Sequence, residues 1–337
     1  MSDIPLSLQL DFYRALRRIR LLDERMQGLQ RQGRVGFYGT CTGQEAVPVA
    51  LGFALRPSDW LFPALRESSV LLVRGFPLVR YLAQVFGSEQ DVLKGRQMPS
   101  HMSGRSANVV SWSSCIGTQL THAVGAAWAA KMRREPMVSV GCMGDGATSS
   151  ADFHSALNFA QVFRVPCVFV CQNNQWAIST PAARQSNTAT FAERALAYAM
   201  PSERLDGNDV CGLYLAFQRA AERARAGEGP TFLECVTYRV GPHSTSDDPT
   251  LYRSEAEVNE WRGRDPILRL SRALEAASVL DAARIAEIDR ELNAELRSAL
   301  ETLEADPPPT RSSLFDDVYA EPPAHLLDQR RELFALR

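Results

Sequence analysis

The chain has 337 residues, 45% of them hydrophobic, which is enough to bury a sizeable core and more than a common single domain holds. Its 37 basic and 39 acidic side chains leave a formal net charge of −2, which excludes the strong field that recruits nucleic acid or an anionic membrane and favours small molecules and proteins as partners. No run approaches the roughly 20 uninterrupted apolar residues of a membrane span. The seven cysteines (Cys41, Cys115, Cys142, Cys167, Cys171, Cys211 and Cys235) show neither a CxxC pair nor His-Cys metal spacing, so reduced, mostly buried thiols in a cytoplasmic protein are expected.

The N-terminal stretch is amphipathic, carries charges throughout and lacks the apolar core of a signal peptide. From Leu8 to Gln32, apolar residues at Phe12, Leu16, Ile19, Leu22 and Met26 keep helical period, and Gly33 ends what reads as a docking helix. Ala46 to Leu55 is a short helix stopped by Pro57, Asp59 to Pro63 the first sheet strand, Arg66-Glu67 the start of a helix through Val73, and Leu78 to Phe86 another helix. Lys94 to His101 is a basic, turn-rich loop. Ser113 to Gln119 then precede a small-residue helix, Leu120 to Lys131, suited to close packing.

Further on, Arg184 to Arg194 reads as a polar loop, Arg204 to Asp209 as a strand end and turn, Val210 to Ala226 as a helix and Thr231 to Val240 as a strand. Gly241 to Pro249 is too polar for a core and reads as a mobile surface loop. Asp265 to Ala305 is helical and charged, Pro307 to Pro309 end it, and Ser313 to Arg337 form a tail anchored by Phe315, Val318 and Tyr319. Together these elements predict an α/β fold, a mostly parallel sheet with helices on both faces and helical additions at each end. The divisions are a docking helix (1–35), an α/β domain (36–262) and a helical region with tail (263–337).

The most informative stretch is Pro136 to Thr180: an apolar strand into Gly144-Asp145-Gly146, a Ser-capped helix beginning near Ser149, and a second apolar strand ending at Asn173-Asn174. Such a layout sets an acid and an amide at the carboxyl ends of two strands, where open α/β sheets bind ligands. Magnesium takes oxygen ligands in octahedral array, commonly one or two protein groups plus phosphate oxygens. Asp145 offers a carboxylate, Asn174 an amide oxygen and Trp176 a backbone carbonyl. Gly144 and Gly146 allow close backbone approach, and the helix N-terminus directs free N–H groups toward a diphosphate. Phe153, Ala156, Leu157, Ala160 and Phe163 read as the face of that helix against the sheet, and His154 as a hydrogen-bonded structural residue.

Gly-Asp-Gly, then 26 residues (147–172), then Asn-Asn resembles the thiamine diphosphate motif. Over nearly its whole length the chain is similar to the alpha subunit of the thiamine diphosphate-dependent, decarboxylating component of 2-oxo acid dehydrogenase complexes, of the bacterial branched-chain type. The resemblance is carried by Lys94 to Pro99, Asp206-Gly207-Asn208-Asp209, Gly241 to Asp248, Tyr252-Arg253-Ser254 and Phe315 to Tyr319. It implies the thiamine diphosphate-binding fold and oxidative decarboxylation of a branched 2-oxo acid such as 2-oxoisovalerate, with acyl transfer to the lipoyl group of an acyltransferase. It also implies a beta subunit that completes an alpha2-beta2 heterotetramer and supplies the activating glutamate. Pyruvate relatives usually carry Ser-Met-Ser-Asp where this chain has Ser244-Thr245-Ser246-Asp247, which tilts the choice toward branched substrates. Pyruvate or acetoin as substrate, and a cofactor-free structural or regulatory paralogue, are the competing expectations.

By position, the resemblance makes Asp145, Asn174 and the Trp176 carbonyl magnesium ligands and Arg66 a diphosphate contact. Ser114, Ile116, Gly144, Gly146 and Ala147 line the cofactor, with Ile116 wedging its bent ring conformation. Ser113, Thr118 and Gln119 match a monovalent-cation (potassium) loop of some relatives, although Cys115 replaces the usual residue there. His243 is placed at the reacting centre, as proton donor or as partner of the diphosphate and substrate carboxylate; a neutral imidazole serves either role. Ser244 and Ser254 match positions phosphorylated in mitochondrial relatives. The chain departs from the pattern in two places. Ala64-Leu65 precedes Arg66 where relatives have an aromatic, usually Tyr, and Gln172 stands where some have arginine, so two diphosphate donors are missing.

Overall fold

The computed structural model describes residues 4–336; Met1–Asp3 of the N-terminal segment and Arg337 of the tail lie outside the described residues. In chain order the elements begin with α1 (Leu6–Arg31), α2 (Ala46–Ala54), β1 (Trp60–Phe62), α3 (Val70–Val73), α4 (Leu78–Phe86) and α5 (Thr118–Arg133). The middle of the chain supplies β2 (Ser139–Gly144), α6 (Ala151–Val162), β3 (Cys167–Asn173), the short hairpin β4 (Trp176–Ala177) and β5 (Thr180–Pro181), β6 (Ser202–Asp206), α7 (Val210–Arg225) and β7 (Thr231–Val236). Four helices close it: α8 (Glu255–Arg262), α9 (Pro266–Ala276), α10 (Ala282–Glu304) and α11 (Ala324–Ala335).

The main sheet is all-parallel, in the order β1-β2-β3-β7-β6. Its centre, β3, is buried at every residue, as befits a parallel strand covered on both faces. Alternate side chains divide between two cores. Val140, Cys142, Val168, Val170, Leu233 and Cys235 join the cluster beneath α1, α2, α4, α7, α9 and α10. Met143, Phe169, Cys171 and Phe232 join the cluster beneath α5 and α6 with Phe153, Ala156, Leu157 and Ala160 of the predicted helix face. Phe163, expected on that face, falls just past the end of α6, where it is 37% exposed and stacks on Trp128.

The N-terminal helix docks on its own chain. Phe12, Leu16, Ile19, Leu22 and Met26 are all buried in the first cluster, and each such burial stabilises by roughly 1.5–3 kcal/mol. Ion pairs Arg14–Glu291 (2.6 Å) and Arg17–Asp289 (2.7 Å) tie α1 to α10. The helical region after Asp265 consists of α9 and α10: Ser278 takes a left-handed φ of 57° between them and Asp281 caps α10 by accepting from the Arg284 N–H.

Parallel pairing decides where the site lies. Gly144 is in register with Gln172, and Asn173 with Val236, so the loops leaving β2, β3 and β7 emerge side by side. Beyond the last rungs the Thr237 N–H still donates to the Asn173 carbonyl (2.8 Å) and the Arg239 N–H to the Asn174 carbonyl (3.3 Å). β7 ends at Val236, short of the expected Val240, because its neighbour β6 has already turned away at Gly207.

Three further expectations are corrected. The helix expected near Ser149 starts at Ala151: Asp145–Ser149 is a single 3-10 turn, and Ser150 caps α6 by accepting from the Phe153 N–H (3.2 Å). Val318 and Tyr319 do not anchor the tail, being 51% and 56% exposed. Arg96 holds it instead, donating to the Ser313 and Asp316 carbonyls, with a Lys94–Asp317 ion pair. The segment after Gly241 is irregular but bound to the body by Arg66, Tyr252 and Arg253.

Candidate active site

Asp145 sits where β2 ends, 1% exposed. One carboxylate oxygen accepts from Gln185 Nε2 at 2.5 Å, and no cationic side chain lies within ion-pair distance among the described residues. Burial pushes its carboxyl up to about 6, against the lowering effects of Gln185, Arg239 and the Asn174 backbone amide. Asn174, one position past β3, is buried with its amide oriented: Nδ2 donates to Gln44 Oε1 (2.8 Å), and Oδ1 accepts from the Trp176 N–H (3.2 Å). The Trp176 carbonyl accepts from Arg239 Nη1 (3.1 Å), while its indole N–H donates to Glu257 (3.0 Å). A carboxylate, an amide oxygen and a backbone carbonyl thus meet at neighbouring strand ends, a hard-oxygen set of the kind magnesium takes.

Gly146 is required where it stands, since a Cβ there would lie 2.7 Å from Ala177 Cβ. Beside Gly144 a Cβ would meet nothing within 4 Å, which leaves the backbone open to a ligand. Ala147 is buried in the turn, its carbonyl accepting from Ser150 N–H and Oγ–H. His154 bonds Tyr198 Oη at 2.6 Å on the surface, the structural role expected of it.

The second half of the site is cationic. Arg66 is buried at the start of a 3-10 turn, donating to the Thr40 carbonyl and, at 2.6 Å, to the His243 carbonyl. Among the described residues it has no carboxylate within ion-pair distance, and burial with the nearby Arg239 charge lowers its pKa to about 10. Leu65, in the place of the expected aromatic, packs on Gly39, where a Cβ would come within 2.9 Å of it. Gln172, in the place of arginine, donates to the Gln44 carbonyl (3.1 Å).

His243 is brought against Arg66, its Nδ1 3.4 Å from the guanidinium, and its N–H donates to Asp247 (2.7 Å). Burial first, then Arg66 and Arg239, push its imidazole down to about 4. The ring is neutral at physiological pH, and facing a guanidinium donor makes Nδ1 the acceptor, which assigns the proton to Nε2. Asp247 also accepts from Tyr252 Oη (2.5 Å), which in turn accepts from Arg239 (2.8 Å).

Residues 113–119 approach the turn after β2 at Gly117, where a Cβ would lie 2.3 Å from Ser150 Oγ. The Ser114 hydroxyl lies 2.6 Å from His101 Nε2, and His101 is buried against Trp112. Ile116 is 62% exposed, an apolar side chain that its own chain leaves uncovered. Ser113 Oγ accepts from the Cys115 N–H, while Thr118 and Gln119 belong to the first turn of α5, earlier than the expected start at Leu120. Gln119 Nε2 donates to the Cys142 carbonyl (2.8 Å), and its Oε1 is buried without a partner.

The residues present fit a metal diphosphate. A buried anion, Asp145, and a buried cation, Arg66, each lack an ion-pair partner at contact distance among the described residues, and a divalent cation carried on a diphosphate complements both. Thr40 Oγ1, Gln44 Nε2, Gln172 Oε1 and Arg239 Nε are likewise buried with no partner. Sequence reasoning missed Gln44, His101, Gln185 and Arg239. Each reaches the site from a segment with no metal or phosphate signature, and only tertiary contacts bring them together.

Residues 13–312 match the family model for the dehydrogenase E1 component. The chain is 45% identical over 321 residues to the 3-methyl-2-oxobutanoate dehydrogenase subunit alpha of Mycobacterium tuberculosis, covering 94% of this chain and 84% of that one. It is 41% identical over 327 residues to the 2-oxoisovalerate dehydrogenase subunit alpha of Pseudomonas aeruginosa, covering 95% and 80%. With the mitochondrial 2-oxoisovalerate dehydrogenase subunit alpha 2 of Arabidopsis thaliana it shares 41% identity over 312 residues, 92% of this chain but only 66% of that one. Strand-end acid and amide, cationic wall and whole-length likeness agree, and the chain belongs to the dehydrogenase E1 component family, whose members depend on thiamine diphosphate.

Proposed function

We propose that the chain is the alpha subunit of a branched-chain 2-oxo acid dehydrogenase, which with a beta subunit decarboxylates 2-oxoisovalerate and its homologues and passes the acyl group to a lipoyl acyltransferase. The observation that carries this reading is the pair of uncompensated buried charges, Asp145 and Arg66, at adjoining loops of one parallel sheet. The names of the relatives support the branched-chain choice.

Asp145, Asn174 and the Trp176 carbonyl would hold magnesium, and Arg66, with Gly144, Gly146 and Ala147 beside it, the diphosphate. Ser114 and Ile116 would line the rest of the cofactor, and Ser113, Thr118 and Gln119 remain the candidates for potassium. Bound thiamine diphosphate supplies a nucleophilic carbon and an electron sink for decarboxylation. The chain's own residues bind and orient. Arg66 fixes the His243 backbone, Asp247 and Tyr252 fix the loop behind it, and the neutral imidazole presents its Nε2 proton to a substrate carboxylate or a nascent anion. The exposed Ile116 is a surface for cofactor and beta subunit to cover.

Decarboxylation by the alpha–beta pair, assayed with 3-methyl-2-oxobutanoate, 4-methyl-2-oxopentanoate and pyruvate, tests the reading. The branched acids are expected to give the higher kcat/KM. A preference for pyruvate would overturn the substrate, and no turnover of any of the three would overturn the function.

A further inference from the structure

Two glutamines outside the ligand set each grip one of the residues assigned to the metal. We propose, resting on the reading above, that Gln185 and Gln44 are positioning residues for the metal: Gln185 sets the Asp145 carboxylate, and Gln44 sets the Asn174 amide.

Gln185 comes from the segment that reads as a polar loop, which the structure fastens to the turn after β2. Arg194 Nη1 donates to the Thr148 carbonyl and to Thr148 Oγ1 (3.1 Å), while its Nη2 donates to the Gln185 carbonyl (2.9 Å). The Thr148 hydroxyl donates to the Asp145 carbonyl (2.7 Å). This clamp fixes the Gln185 backbone relative to Asp145, so its amide meets one carboxylate oxygen at 2.5 Å and leaves the other to a cation.

Gln44 lies beneath Asn174, fully buried just ahead of α2. An Asn side chain presents oxygen on one side and NH2 on the other, and only the oxygen ligates a cation. By accepting from Nδ2, Gln44 Oε1 turns Asn174 Oδ1 away from itself, toward the Trp176 N–H and the strand end. Without that acceptor the amide is free to turn its NH2 to the metal. Partners of metal ligands that act in this way are typically worth 10–100-fold in metal affinity.

The experiment is magnesium titration of the alpha–beta pair with thiamine diphosphate present, followed by tryptophan fluorescence. Steady-state KM for magnesium, kcat and the melting temperature of the metal-free pair are measured alongside. Gln185→Met and Gln44→Met are near-isosteric and remove the amide. They are expected to weaken magnesium binding by about 10–100-fold and to raise KM for magnesium by a larger factor than they lower kcat at saturating metal, with metal-free melting temperature near that of the parent. Gln44→Glu keeps an acceptor for Asn174 Nδ2 and is expected to bind magnesium at least as tightly as the parent. Gln185→Met, on a half-buried loop side chain, carries the test alone if Gln44→Met does not assemble. Parent-like magnesium affinity in Gln185→Met and Gln44→Met overturns the proposal, as does Gln44→Glu binding as weakly as Gln44→Met. A parent pair that binds neither magnesium nor cofactor overturns the functional reading instead.

Discussion

The loops leaving β1, β2 and β3 and the tail after Pro307 are incomplete in opposite ways. At the strand ends Asp145, Asn174 and Arg66 are buried, and what is missing is charge: an anion and a cation without counter-ions. In the tail the polar contacts are made, through Lys94 and Arg96, and what is missing is burial. α11 contains no buried residue, and Leu327, Phe334 and Leu336 face outward with Val318 and Tyr319. A 12-residue helix is marginal in water by itself, so α11 depends on whatever covers it. Missing charge asks for a small charged ligand and missing burial for a protein surface, and an alpha subunit of this family has need of both.

The largest expected effect is at the strand ends. Asp145→Ala should lower magnesium-dependent cofactor affinity by at least about 100-fold, beyond what the loss of a mere supporting partner causes. It should not lower the melting temperature of the metal-free protein. The carboxyl titrates near 6 when folded and near 3.8 when unfolded, so its charged form weakens the fold as pH rises through that window, and its removal relieves this. Next comes the core: Leu16→Ala in α1 should cost about 2–5 kcal/mol of stability in chemical denaturation. Arg66→Met should then lower diphosphate affinity by about 1.5–3 kcal/mol, the worth of a charge-assisted hydrogen bond, read by calorimetry.

Smaller effects sharpen the contrast. Phe334→Ser in α11, 52% exposed, should change the stability of the alpha chain alone by no more than about 0.5 kcal/mol and yet weaken its association with the beta subunit, seen by analytical ultracentrifugation. A stability loss like that of Leu16→Ala would show that the tail is core. His243 should titrate near pH 4 by NMR, well below an ordinary histidine, and a bound diphosphate should raise that midpoint by offsetting Arg66 and Arg239. The unfolded chain takes up this proton first, so acidification from about 6.5 to 4 removes stability that is present above that window. An unshifted His243 would place it in solvent, away from Arg66.

What was legible in the sequence follows from how local each signal is. Helices with a clean period or a strong stop were found closely, as at Leu78 to Phe86, where Gly87 ends the helix in a left-handed turn. The strand-helix-strand unit around Asp145 and Asn174 was legible because both chemistry and spacing lie in one stretch. Two of the three expected tail anchors, Val318 and Tyr319, were misread because apolar residues were taken for buried ones, when hydrophobicity alone does not say which chain provides the cover, while Phe315 is half-buried. Gln44, Gln185 and Arg239 could not be read at all: a glutamine or arginine in a loop acquires a role only when the fold sets the segments ahead of α2, after β5 and after β7 beside the ends of β2 and β3. The start of α6 was misplaced by two residues because consecutive serines, Ser149 and Ser150, offer equal caps and the 3-10 turn takes up the first, leaving the second as the cap.

The central claim is that one metal diphosphate compensates the buried charges of Asp145 and Arg66. Calorimetric titration of thiamine diphosphate with magnesium into the purified alpha–beta pair, beside the same pair carrying Asp145→Ala, tests it most directly. One cofactor bound per alpha subunit by the parent and none by the variant is the predicted result; no binding by the parent, or equal binding by both, would contradict it.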